Sequence, residues 1–279
     1  MNKEIRRSNL SESEIILAGE TIELNSIKNI SEKFRKNLPP DGKIYYQEIT
    51  KDCYALISSV EVFIANRVIG IGLGNKATDS TLKEIRNFYI SNNRQKFYMQ
   101  VSPVENNKDI TGLLLNNGGE LLSHWAKLYK IPDAVKPVLN EIEIREIYEN
   151  EHDHVASLLL KSFSFPEELK PFVKYALGVS DWISYVAILD GKIAGTGSLY
   201  IKDDIAEIGI AATAEEYRGI GVQTALIKFR ENIAFEKGCS YLFVETAEPT
   251  SVNPAQSYKN MIRLGFTELY RRPNYMFKI

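Results

Sequence analysis

Ile208-Gly-Ile-Ala-Ala-Thr-Ala-Glu-Glu-Tyr-Arg-Gly-Ile-Gly-Val-Gln-Thr-Ala-Leu-Ile227 reads as a strand, a tight polar turn and the first turns of a helix. Gly219 and Gly221 fall in the turn, where a missing Cβ lets backbone approach a ligand closely. The turn runs directly into a helix start, whose unpaired N–H groups and positive dipole end make an anion site. Arg218 adds a full positive charge beside it. A diphosphate is the natural guest.

Outward from this stretch, the second half of the chain alternates. Glu141–Ile147 is expected as a strand, Asn150–Phe163 and Pro166–Val179 as helices, the latter with proline in its first turn. Trp182–Leu189 should pair with Lys192–Ile201 across Asp190-Gly191, a dipeptide suited to a two-residue hairpin. Ala206–Thr213 leads into the quoted turn. Val222, Ala225, Leu226, Phe229 and Ile233 then recur at helical spacing until Gly238. Tyr241–Thr246 is an apolar strand, Ala255–Leu264 a helix, and Gly265-Phe266 opens an expected terminal pair of strands.

The first half predicts helices over 26–38, 81–92 and 110–116, strands over 54–65 and 96–101, and a Gly118-Gly119 turn into a further strand. That order resembles the end of the second half and suggests an internal duplication. Pro132 and Pro137 mark a linker between units 1–132 and 139–279. The expected class is α/β, with two such units in tandem, each an α+β mixed sheet.

Composition bounds the rest. The 279 residues are 44% hydrophobic and 25% charged, a globular balance with room for two cores. A formal net charge of −2 gives no global reason to expect nucleic acid. There is no apolar leader and no run long enough to span a bilayer, so a cytoplasmic protein is expected, without membrane partners. Cys53 and Cys239 are isolated, and the glycosylation tripeptides at Asn9 and Asn29 read as chance. His152 and His154 are two apart on an expected helix and do not share a face; His124 is solitary, so no metal is expected. The oligomeric state is not readable.

Tyr217-Arg-Gly-Ile-Gly-Val222, preceded by a strand and followed by Leu264-Gly265-Phe266, resembles the GCN5-related N-acetyltransferase (GNAT) superfamily over roughly 141–279. Arg218 and Gly221 match the family's phosphate-loop pattern; Gln223 departs from it. The resemblance implies acetyl-CoA as cosubstrate, its pyrophosphate on the amides of Gly219, Ile220, Gly221, Val222, Gln223 and Thr224, and its pantetheine arm along Ala211, Ala212 and Thr213. Asn253 and Asn260 are further candidate cofactor contacts, Asn253 being equally readable as a helix cap. The competing reading of the glycines is an ordinary strand-to-helix turn.

An amine attacks a thioester only when neutral. A lysine-like amine is about one part in a thousand neutral near pH 7.4, a handicap of roughly 4 kcal/mol. A general base recovers ~10²–10⁴ in rate. Glu207 is the candidate, against the alternative of a solvated strand-face charge, with Glu245 as competitor. Where many relatives carry an acid tyrosine this chain has Met261, so Tyr258, one turn earlier, is the candidate acid or else a packed core-edge tyrosine. The segment Tyr270-Arg-Arg-Pro-Asn-Tyr275 reads as an acceptor-pocket lining or a solvent-facing hairpin. Gly70-Ile-Gly72-Leu-Gly74 is a second glycine-rich turn, but residues 75–80 after it, where a helix would start, carry Asp79 and no arginine. The first half therefore resembles the degenerate half of tandem acetyltransferases. The expected reaction is direct acetyl transfer to an amine, of a small molecule or a protein N-terminus. The alternatives are a catalytically silent acyl-CoA-binding module and an interaction protein that meets no nucleotide.

Overall fold

The computed structural model describes residues 10–37, 44–134, 141–178, 181–251 and 254–279. Its elements are α1 (Glu12–Asn37), β1 (Ile44–Thr50), β2 (Cys53–Ser58), β3 (Arg67–Ile69), α2 (Asp79–Ser91), β4 (Lys96–Gln100), α3 (Ile110–Asn116) and β5 (Gly119–Lys130). There follow β6 (Glu143–Glu146), α4 (His152–Phe163), α5 (Lys170–Leu177), β7 (Trp182–Leu189), β8 (Lys192–Lys202) and β9 (Ile205–Thr213). The chain ends with α6 (Val222–Glu236), β10 (Tyr241–Ala247), α7 (Gln256–Arg263) and β11 (Thr267–Lys278).

Two compact units form, and each draws on separated stretches of chain. The N unit takes 10–127, 246–258 and 268–279; the C unit takes 128–245 and 259–267. The N unit's strands lie in the order β1-β2-β3-β4-β11-β5, with β3 and β4 parallel and β11 antiparallel to β4. Its core forms where Leu82, Ile85, Phe88 and Tyr89, at helical spacing on α2, meet Ala55, Val68, Phe97, Met99 and Phe277 from the strands. Tyr89, Phe97 and Phe277 stack in sequence at 4.6 and 4.8 Å, and the Tyr89 hydroxyl donates to the Leu56 carbonyl at 2.7 Å.

In the C unit the order is β5-β10-β9-β8-β7-β6, β5 contributing only residues 128–130. The β7–β8 hairpin turns through Asp190 and Gly191, both at positive φ (51° and 72°), as a two-residue turn of this twist requires. Val155, Ala156 and Leu159 of α4, with Leu177 of α5, cover Val186 and the partly buried Ile188, Ile210 and Ala212. On the other face α6 lies close against β8 because Gly195 and Gly197 carry no Cβ. One added at Gly195 would meet Val222 Cγ1 at 2.8 Å, and one at Gly197 the Arg230 Cζ at 2.6 Å.

Several expectations are corrected. The chain ends in one 12-residue strand, so the expected terminal pair and its solvent-facing hairpin are absent. Arg272 is instead 2% exposed and ion-paired to Glu20 and Glu23 of α1, while Tyr275 and Phe277 are core. The strand expected over 54–65 stops at Ser58. There the Asn66 side chain accepts from Ser58 N and donates to the carbonyls of Val60 and Val62, folding an apolar-looking run into a loop. The first helix begins at Glu12, and β1 and β3 were not foreseen. No helix among the described residues is long and apolar enough to cross a membrane.

Candidate active site

The C unit builds its site from β9, the turn after it and the start of α6. Strand β9 runs parallel to β10, but only Ile205, Ala206 and Glu207 pair with it, opposite Tyr241, Leu242 and Phe243. Beyond Glu207 the strands part. Residues 209–213 are half-exposed although β9 lies inside the sheet order, while the facing stretch of β8 is buried. The amides and carbonyls of this edge are therefore available to an extended ligand, which is how a strand recognises a strand-like partner. Ala211, Ala212 and Thr213 lie on that edge.

On its opposite side, where it pairs with β8, this stretch of β9 carries a bulge. Ala212 faces Thr196 and Gly209 faces Ser198, so Ile210 and Ala211 together oppose Gly197 alone. Ile210 is held at φ 46°, a costly conformation for a β-branched residue.

After β9 the Ala214 N–H donates to the Ala194 carbonyl at 2.9 Å, and a short 3-10 turn over Glu215–Tyr217 delivers the chain to Arg218. Gly219 (φ 83°) and Gly221 (φ 97°) take the left-handed conformation, and a Cβ on Gly219 would meet nothing. Gly221 is the residue before α6, and no side chain caps that helix start. The Arg218 side chain is exposed and makes no ion pair or hydrogen bond among the described residues. Arg218, Gly219 and Ile220 thus form an open rim, with an uncapped helix terminus and a free guanidinium at one point.

Asn260, on α7, donates to Gln223 Oε1 at 2.5 Å, and Arg263 reaches both Asn260 Oδ1 (3.1 Å) and Thr224 Oγ1 (3.2 Å). Three expected cofactor contacts, Gln223, Thr224 and Asn260, are thereby gathered at the α6 terminus. Arg263, not among the residues expected there, joins this cluster, and its spacing of three from Asn260 on one helix is the signal in the sequence. Asn253 lies outside the described residues.

Glu207 is 7% exposed, which removes the reading of it as a solvated charge. It stands in a row with Trp182, Tyr200 and Phe243 across β7, β8, β9 and β10, so these side chains share the face covered by α4 and α5. The competitor Glu245 lies two residues past Phe243 on β10, half-buried on that face. Tyr258, within the N unit, donates to Glu268 Oε2 at 2.6 Å. That bond, with partial burial and the negative charge of Glu268, raises the phenol above its ordinary range. Burial would lift the Glu268 carboxyl, but Tyr258 and Arg271 hold it low. Met261 is buried at 4%. Burial pushes the Cys53 thiol up to about 12 and the Cys239 thiol to about 11. Neither is a thiolate nucleophile at neutral pH. Among the described residues no group of three or more His, Cys, Asp or Glu could hold a metal.

Residues 144–261 match the model of the Acetyltransferase (GNAT) family. No curated protein matches the chain in a sequence search. Among solved structures, a tandem GNAT protein from the clavulanic acid biosynthesis pathway is similar with a TM-score of 0.62 at 12% identity, covering 96% of this chain and 97% of that one. A GCN5-related N-acetyltransferase from Kribbella flavida gives 0.59 at 12% identity over 90% and 95% of the two chains. A functionally unknown conserved protein from Staphylococcus epidermidis gives 0.57 at 12% over 88% and 97%. At such identity the likeness establishes the fold: a mixed α/β architecture with two GNAT-like units in one chain. The family is one of acyl-transferring enzymes.

Proposed function

We propose that the C unit transfers an acetyl group from acetyl-CoA directly to an amine. One observation carries this reading. The open edge of β9 beyond Glu207 runs straight into an uncapped, glycine-bent helix start with a free arginine. That sequence of features matches the shape of the donor, an extended amide-bearing arm ending in a diphosphate. The arm would hydrogen-bond along Ala211–Thr213, and the phosphates would take the amides from Gly219 to Thr224 with Arg218 as counter-ion.

Glu207 supplies the base. It lies at the last paired position of β9, where the edge opens, so an amine entering on that face reaches a carboxylate as it approaches the thioester. Removing the ammonium proton recovers part of the roughly 4 kcal/mol handicap of a protonated amine. Transfer is direct, through a ternary complex, since neither cysteine is reactive enough to carry the acyl group. The thiolate of coenzyme A, with an ordinary thiol pKa near ~8.5, leaves without an obligatory acid. We assign the duplicated units to 1–132 and 139–279, the second bearing the chemistry.

A second reading, a silent acyl-CoA-binding module, is favoured by Met261 and by the commitment of the Tyr258 hydroxyl to Glu268. Thiol release from acetyl-CoA in the presence of a broad panel of amines separates the two. The transferase reading expects turnover with at least one amine and a loss of about 10²-fold in kcat for Glu207→Gln. Tight acetyl-CoA binding with no turnover across the panel supports the silent module. Absence of acetyl-CoA binding sinks both.

A further inference from the structure

Arg230 is the most deeply buried cation of the C unit among the described residues, 1% exposed at the third turn of α6. A buried guanidinium ordinarily has a carboxylate beside it. This one has none among the described residues, and the adjacent Glu231 is committed to Lys130 at 2.6 Å. Its hydrogen bonds go to three backbone carbonyls. The Nε donates to Leu226 O at 3.0 Å, and one terminal nitrogen donates to Ser198 O at 2.9 Å and to Gly209 O at 3.4 Å. Burial pulls its pKa down to about 9, so it stays charged at neutral pH while the fold bears a desolvation cost. Room for it exists because Gly197 has no side chain.

The two strand carbonyls identify what the charge does. Ser198 and Gly209 face each other at the foot of the bulge, where Ile210 and Ala211 crowd against Gly197 and the regular ladder is broken. A bulge leaves ladder carbonyls without their usual donors, and a buried carbonyl without one is costly. Arg230 reaches from the helix and supplies that donor to both strands at once. We propose that Arg230 is a positioning residue for the acyl donor: it pins the β8–β9 bulge and so keeps the 208–213 edge of β9 turned away from β10, where the pantetheine arm is received. The proposal rests on the acyl-CoA reading of this edge and deepens it. The guanidinium lies on the α6 face and acts through Gly209 and Ser198, without touching the donor.

Such a role separates the arm of coenzyme A from its nucleotide. The nucleotide 3′-phosphoadenosine 5′-diphosphate, which carries the diphosphate without the arm, serves as the second probe. Calorimetry with acetyl-CoA and with 3′-phosphoadenosine 5′-diphosphate is run on the wild type, Arg230→Met and Arg230→Lys. The expected result is a loss of about tenfold or more in acetyl-CoA affinity for Arg230→Met, with diphosphate affinity changed by less than about twofold and partial rescue by Arg230→Lys. Equal losses for both probes would make Arg230 a merely structural residue and overturn the proposal, as would unchanged acetyl-CoA affinity in a folded Arg230→Met. If that variant does not fold, Arg230→Lys decides alone: the same unequal loss supports the role, and equal or no loss overturns it. A wild type that binds neither probe would instead remove the acyl-CoA reading beneath it.

Discussion

Two loops in this chain make the same move, from a strand that has a parallel neighbour into a helix: β3 into α2 in the N unit and β9 into α6 in the C unit. Gly72 and Gly219, one in each, share a φ of 83°. Around that common bend everything else differs. At Gly219 a Cβ would find open space, and α6 starts without a side-chain cap. At Gly72 a Cβ would land 2.1 Å from Asn107 Oδ1, and at Gly74 one would land 2.3 Å from the Lys51 carbonyl. Asn106 donates to Gly72 O and Asn107 to Ile71 O and Ser102 O, while Thr78 and Thr81 close the start of α2 with a reciprocal capping box. The first loop spends its polar groups on the fold; the second holds them out. The left-handed glycine is compatible with either use, so what surrounds a glycine turn decides whether it can serve a ligand.

The largest expected effect tests the open loop. Arg218→Glu replaces the free guanidinium at the α6 start with a negative charge, which should lower acetyl-CoA affinity about a hundredfold or more with circular dichroism unchanged. Affinity within about threefold of wild type, by calorimetry, would break the contrast between the two loops at its open end.

How much of this was legible follows the same division. The C unit was readable nearly element by element because its signals are local: the Asp190-Gly191 turn, the helical period from Val222, and the glycines flanking Ile220. The N unit was not, because its order depends on partners distant in sequence. Helix α1 carries Glu20 and Glu23 on a face buried against Arg67, Lys127 and Arg272, so a polarity pattern that reads as solvated is in fact interior. Arg272 lies almost at the other end of the chain, and nothing near Tyr270 or Arg271 announces it. Within the site, glycines and Arg218 were visible, while the bulge at Ile210, a product of pairing register, was not. From Asp79 the Gly70–Gly74 turn is expected to repel a phosphate; that Asn106 and Asn107 from a separate loop fill it is not legible in the local sequence.

That buried cluster gives the next expected effect, a difference between the units in acid. Burial alone would raise the Glu23 carboxyl, but Arg272, Lys127 and Arg67 outweigh it and hold it far below the usual carboxylate range. A depressed carboxylate lends its full stability above the ordinary value of 4.5 and loses it as the pH falls from there towards the lowered one. Hydrogen exchange over a descending pH series should show the N unit losing protection before the C unit. Loss in the reverse order would mean that the cluster does not set the acid limit.

A smaller effect comes from the matched glycines. Ala at either position bears a similar backbone strain, about 1 kcal/mol, because φ is the same. Only Gly72→Ala also drives a Cβ into Asn107, so urea unfolding should find it less stable than Gly219→Ala by about 2 kcal/mol. Equal costs would show that Asn107 yields freely and that the first loop is less tightly closed than its hydrogen bonds imply.

The smallest effect asks whether the cap itself is what keeps the first loop from anions. Thr78 Oγ1 accepts from Thr81 N at 3.3 Å, and the Thr78 N–H donates to Thr81 Oγ1 at 3.2 Å. Thr78→Ala removes one arm of this box and should cost about 1 kcal/mol in urea unfolding. It also releases an amide at the α2 start, making that terminus more like the one at α6. Even so, pyrophosphate should not bind there, because Asp79 in the first turn keeps a carboxylate at the dipole end and Asn107 still fills the bend. Pyrophosphate is the probe, with Arg218→Glu in the background to silence the second loop. Measurable binding to this double variant would mean that a single threonine separates the two loops, and that charge and filling contribute little.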